Sequence, residues 1–145
     1  MTGHDAEAPV LAFVEGRAGV IRLNRPAALN ALNIEMVDAA LRALATFQTD
    51  MEVELVLLEG AGGRAFCAGG DIRMIAESGA GDASEAKTFF LAEYRLNHLL
   101  FEYPKPITAI VDGIVMGGGV GVSEPADVRI ATERTTYAMP ETGIG

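Results

Sequence analysis

Two continuous apolar runs, Leu55-Val56-Leu57-Leu58 and Ile107-Thr108-Ala109-Ile110-Val111, each lead into a glycine-rich stretch, and this arrangement restricts the fold more than any other feature. An apolar run without polar alternation suits a strand buried on both faces of a parallel sheet. The glycines beyond it, Gly60 to Gly70 in one case and Gly117-Gly118-Gly119-Val120-Gly121 in the other, then stand at the carboxyl ends of strands. Open α/β sheets place their ligands there. Val128-Arg129-Ile130-Ala131 is a third interior strand candidate, and Thr135 to Met139 a fourth, with Pro140-Glu141 at its exit.

Between these runs the period changes. Ile34, Val37, Leu41 and Leu44 recur at spacings of three and four, which predicts an amphipathic helix of about four turns from Asn33. Phe89, Ala92, Leu96, Leu99 and Tyr103 mark a second helix, stopped by Pro104 and Pro106. Near the start, Val10 to Val14 and Val20 to Leu23 flank Glu15-Gly16-Arg17-Ala18-Gly19, a hairpin signature. Strands alternating with helices imply βαβ units, an α/β class and a largely parallel sheet.

A chain of 145 residues suits one domain, and the 50% apolar content is enough for a packed core. Residues 1–9 read as a polar tail and 10–145 as the core, without internal repeat or linker. The stop just after a strand, with no closing helix, reads as a core interrupted at its C-terminal side. The net charge of −9 disfavours nucleic acid, which requires clustered Lys and Arg against phosphate. No apolar run reaches the roughly 18 residues of a membrane span. The polar opening reads as no signal peptide, and the single cysteine, Cys67, excludes an internal disulfide framework. Together these lead to the expectation of a reducing cytoplasm.

Several familiar motifs fail. Gly60-Ala61-Gly62-Gly63-Arg64-Ala65 has dinucleotide-fingerprint spacing, but Phe66 to Asp71 prolongs the loop where a helix should open. No Gly-Lys-Ser/Thr closes a phosphate loop, and Ser123 lacks the glycines of a nucleophile elbow. His4 and His98 belong to no metal-ligand cluster, so no metal is expected. Cys67, with no histidine near it in sequence, reads as a small packed residue.

Two readings of the glycine loops stay open. They are tight turns that allow close packing, or they present backbone N–H groups from two loops as an oxyanion hole. A helix opening within Gly118 to Val122 would add the positive end of its dipole. Glu141, after a proline at a strand exit, is a candidate base or nucleophile or else a surface residue. Asp71 is equally a helix cap.

A family resemblance runs through the same residues. Asn24-Arg25-Pro26 with Ala28-Leu29-Asn30-Ala31-Leu32, Phe66-Cys67-Ala68-Gly69-Gly70-Asp71-Ile72, and Asp112-Gly113 with Met116 to Gly121 resemble the crotonase superfamily over residues 10 to 145. Glu133 to Gly145 resembles its 3-hydroxyisobutyryl-CoA hydrolase branch. The resemblance implies the N-terminal portion of a crotonase-like ββα spiral core. It also implies an acyl-CoA substrate that brings coenzyme A with it and no separate cofactor. The oxyanion hole would be the N–H groups of Ala68 and Gly118, with Glu141 as the catalytic carboxylate. Substrate and CoA contacts would come from Glu93, Gly69, Gly70, Asp71, Ile72 and Arg25, and assembly would be as a trimer or a multiple of one. Hydratases of the superfamily carry a second glutamate where this chain has Gly121, which favours thioester hydrolysis over water addition. Hydratase or isomerase activity, and a non-catalytic CoA-binding or assembly subunit, are the alternatives.

Overall fold

The computed structural model describes residues 6–70, 76–77, 81 and 83–138. Strands β1 (Val10–Glu15) and β2 (Ala18–Leu23) form the expected hairpin, pairing Glu15 with Ala18 across a two-residue turn in which Gly16 has φ +61°. Residues 6–9 are tied to the same unit. Asn24 Nδ2 donates to the carbonyls of Ala6 and Ala8, and Asn24 N donates to Pro9 O.

The first helix, α1 (Ile34–Thr49), begins where the pattern placed it. Asn33 caps it, its side chain accepting from Met36 N at 2.9 Å. The buried face runs through Met36, Val37, Ala40, Leu44 and Phe47, while Ile34 turns outward. At the far end, Tyr103 Oη donates to Leu44 O, and Lys105 Nζ donates to the carbonyls of Phe47 and Asp50. The bond to Phe47 O satisfies a carbonyl that the helix C-terminus leaves without a helical partner.

Strands β3 (Leu55–Gly60), β5 (Ile107–Val111) and β7 (Val128–Ala131) extend the hairpin into a five-stranded sheet ordered β1-β2-β3-β5-β7. Every pair in it except β1/β2 is parallel. Helices α1 and α2 (Ser84–Phe101) pack against each other, and α1 also lies against β1 and β2. The core joins Met36, Val37 and Leu44 to Val56, Phe66, Phe89, Leu96, Ile107 and Val111.

Two expectations change here. Val56 and Leu58 of β3 are buried, whereas Leu55 and Leu57 are only half covered, so one face of that strand is sealed more tightly than the other. Val128 to Ala131 forms an edge strand, not an interior one, with Val128 51% and Ile130 46% exposed. Its apolar composition marks strand propensity, but among the described residues only β5 pairs with it.

A second sheet was not legible as such. It is three-stranded and parallel throughout, ordered β4-β6-β8, from Ala65–Cys67, Ile114–Met116 and Thr136–Ala138. A short helix, α3 (Gly118–Ser123), follows β6 directly and packs on β4 and β6. The glycine loops therefore hang from this small sheet rather than from β3 and β5.

Candidate functional site

The register of β4 and β6 brings the two glycine loops together. Ala65 pairs with Ile114 and Cys67 with Val115, in parallel, so both chains leave the sheet at the same end and side by side. Ala68 to Gly70 follow one strand, Gly117 and Gly118 the other. The approach is close enough to exclude a side chain. A Cβ at Gly69, where φ is +108°, would lie 3.2 Å from Met116 O and 3.4 Å from Gly118 N. One at Gly118 would lie 3.5 Å from Gly70 N and 2.5 Å from Glu93 Oε1.

The backbone donors in this cluster are not equivalent. The Ala68 N–H donates to Leu29 O at 3.0 Å, and so is already engaged by the turn before α1. The Ala68 N–H, expected in an oxyanion hole, thus has an acceptor within the protein. Leu32 N in turn donates to Gly69 O, fixing the loop from the other side. Gly118 opens α3, where an N–H has no acceptor inside the helix. Among the described residues neither Gly70 N–H nor Gly118 N–H has an acceptor. Gly70 and Gly118 thus stand side by side, each with its N–H unengaged by the described residues.

Glu93 projects from the middle of α2 onto Gly118. It is half-buried, and desolvation holds its carboxyl above the usual glutamate range. No described residue pairs with it. Glu93, Phe90, Tyr94, Asn97, Gly118 and Gly121 line an open cleft of about 520 Å³. Of the charged residues predicted for substrate contact, the cleft contains Glu93 and not Arg25. Arg25 Nη1 donates to Ala31 O at 2.7 Å, and its backbone N donates to Asn30 Oδ1 at 2.8 Å, so it helps build the turn beneath the first glycine loop. Asp71, Ile72 and Glu141 lie outside the described residues.

Cys67 is a packed residue, as its sequence surroundings suggested. It is fully buried, and burial pushes its thiol up to about 12, which removes it as a nucleophile at neutral pH.

The raised pKa of Glu93 has a measurable consequence. A carboxyl held above its unfolded value adds stability at low pH, and that contribution disappears as pH rises through the folded value. Glu93→Gln is therefore expected to melt at a higher temperature than the parent at pH 7. The gain should vanish as pH falls below the ordinary glutamate range, about 4.3. A melting-temperature difference independent of pH would show that the carboxyl is not desolvated.

Comparisons with known proteins identify relatives over most of the chain. Residues 18–145 match the family model described as enoyl-CoA hydratase/isomerase. The chain is 49% identical over its whole length to a protein of Danio rerio named 3-hydroxyisobutyryl-CoA hydrolase, mitochondrial, and 47% identical over 97% of its length to the Homo sapiens protein of that name. It spans 38% and 36% of the length of those two relatives. A carnitinyl-CoA dehydratase from Mycobacterium thermoresistibile superimposes with a TM-score of 0.91 at 50% identity, covering 94% of this chain and 40% of that one. An enoyl-CoA hydratase from Rhodobacter sphaeroides 2.4.1 does so with a TM-score of 0.87 at 46% identity, covering 94% and 41%.

The expectation of a cytoplasmic location is corrected by these relatives, which are named as mitochondrial proteins. A single buried cysteine excludes disulfides but does not distinguish one reducing compartment from another.

Proposed function

Because the chain belongs to the enoyl-CoA hydratase/isomerase family, we propose that it carries the acyl-binding part of a thioester hydrolase acting on 3-hydroxyisobutyryl-CoA, in valine breakdown. The observation that carries this reading is the composition of the cleft. Gly121 leaves one wall without a carboxylate, and among the described residues Glu93 is the only acid lining it. Water addition by two carboxylates, one of them at Gly121, has no residue for the second role. The relatives' names support the choice of thioester and a mitochondrial setting.

In this mechanism the thioester oxygen accepts hydrogen bonds from Gly70 N–H and Gly118 N–H. Each such donor contributes about 2.7–4 kcal/mol when aimed at charge that develops in the transition state. Glu141 attacks the carbonyl carbon or draws a proton from an attacking water. In the first case the C–S bond breaks to leave a mixed anhydride. Water hydrolyses it to the free acid and Glu141, the thiolate taking up the proton that water releases. In the second the tetrahedral intermediate expels the thiolate, which takes up the proton held by Glu141.

What supports Glu141 in this role is the topology of the small sheet. β8 runs parallel to β6, with Ala138 opposite Met116, so the chain leaves β8 at the same end as the glycine loops. Three further residues span at most about 10 Å, which is within reach of the acyl group. The CoA moiety is assigned to the first loop, at Gly69, Gly70, Asp71 and Ile72, with Arg25 at its base. Assembly as a trimer or a multiple of it belongs to the same reading.

A second reading, hydratase or isomerase chemistry, is favoured by the names of the structural neighbours. One assay separates the two. The intact protein is expected to release free thiol from 3-hydroxyisobutyryl-CoA and to leave crotonyl-CoA largely unhydrated. Hydration of crotonyl-CoA without thiol release would sink the hydrolase reading.

A further inference from the structure

Asn97 lies one helical turn beyond Glu93 on α2, so both side chains face the same way, onto α3. Its carboxamide packs over Gly121. A Cβ at Gly121 would come within 3.1 Å of Asn97 Nδ2, and Oδ1 lies farther, at 4.0 Å. Oδ1 is buried without a hydrogen-bond partner, and among the described residues neither end of the amide is bonded. Glu93, beside it, likewise has no described partner. Buried polar groups in folded proteins are nearly always satisfied. Asn97, whose Oδ1 breaks that rule, and the half-buried, unpaired Glu93 stand one turn apart on one wall of one cleft, where a ligand's polar group would meet both.

Their chemistry narrows that group. A hydroxyl suits a carboxylate and a carboxamide together, since its O–H donates to the carboxylate while its oxygen accepts from the amide N–H. A thioester carbonyl cannot do this, because it only accepts. Nδ2 is the end of the amide nearer Gly121, which lines the cleft, and is therefore the end available to a ligand there.

We propose that Asn97 is a specificity-determining residue that, with Glu93, holds the hydroxyl of a 3-hydroxyacyl thioester. This assignment rests on the acyl-CoA reading above. The signal for Asn97 in the sequence is its spacing of four from Glu93.

The test compares 3-hydroxyisobutyryl-CoA with isobutyryl-CoA, which lacks only the hydroxyl, in the intact protein and in Asn97→Leu. The variant is expected to lose about 30-fold in kcat/KM for the hydroxylated thioester and less than about 3-fold for the other, since sites that hydrogen-bond a hydroxyl discriminate strongly against its absence. Equal losses on both thioesters, or no loss on either, would overturn the assignment. Should Asn97→Leu not fold, Asn97→Ser and Asn97→Ala give the same reading. Serine retains a donor and is expected to preserve the preference for the hydroxylated thioester better than alanine, and equal preferences would overturn the assignment. Calorimetric binding of thioether analogues of the two substrates separates the two ideas. If the parent cleaves neither thioester, the hydrolase reading fails, while Asn97 is still tested by whether its replacement abolishes the difference in affinity.

Discussion

Gly119→Ala is expected to destabilise the protein by about 3 kcal/mol or more, or to prevent it from folding, although the change adds a single methyl group. The added Cβ would fall onto the carbonyl oxygen of Cys67 and within 2.9 Å of its carbonyl carbon. Both are backbone atoms of β4, held in the small sheet by pairing with β6. Neither can rotate aside, so α3 would have to lift away from β4. That movement would separate Gly118 from Gly70 and dismantle the pair of donors.

Nearby glycines provide the internal comparison. A Cβ at Gly121 meets the Asn97 side chain at 3.1 Å, and one at Gly118 meets the Glu93 carboxylate at 2.5 Å. Side chains can move, so both variants should fold with losses below about 1 kcal/mol. Gly118→Ala should nevertheless impair thioester cleavage by displacing Glu93. Denaturant melts of the three variants check the order. A Gly119→Ala protein as stable as Gly121→Ala would mean that α3 is not seated on β4 as described.

The second large effect is expected at Asn30, a fully buried polar residue with φ +56°. Its Oδ1 accepts from Arg25 N at 2.8 Å, and its Nδ2 donates to Ala61 O at 3.0 Å and Ala65 O at 2.9 Å. One side chain thus joins the turn after β2, the end of β3 and the start of β4. Asn30→Ala would strand all three partners and place alanine in the left-handed region. The expected cost is roughly 4 kcal/mol. Asn30→Gly removes the backbone penalty alone and should recover about 1 kcal/mol of it. Asn30→Asp retains the acceptor but sets a carboxylate against two carbonyls, so it should do no better than alanine. A loss under about 1 kcal/mol for Asn30→Ala, measured by denaturant unfolding, would show that these bonds do not hold the first glycine loop in place.

These two residues also show where sequence reading reaches and where it stops. Asn30 lies in a segment singled out for its family resemblance, but nothing in its local pattern indicates that its partners are residues 61 and 65. Gly119 is one of three consecutive glycines, and no local rule distinguishes the one that meets backbone from the ones that meet side chains. β4 and β6 are three residues long each, too short for any periodicity to register. The bond from Ala68 N–H to Leu29 O is likewise a contact that loop composition does not contain.

Features carried by neighbours in the chain were determined by the sequence alone. The apolar spacing of α1 and its Asn33 cap, the glycine turn of the first hairpin and the proline stop after α2 act within a few residues, so they were legible as local physical chemistry. The parallel α/β class followed from their alternation. Only the tertiary structure decided what depends on pairing across the chain. It placed β7 at an edge, formed the small sheet, set Glu93 against Gly118, and brought Gly70 beside Gly118. Those contacts join residues 20 to 49 positions apart, where burial and hydrogen bonding select among many sequence-compatible partners. A pattern read along the chain does not contain that choice.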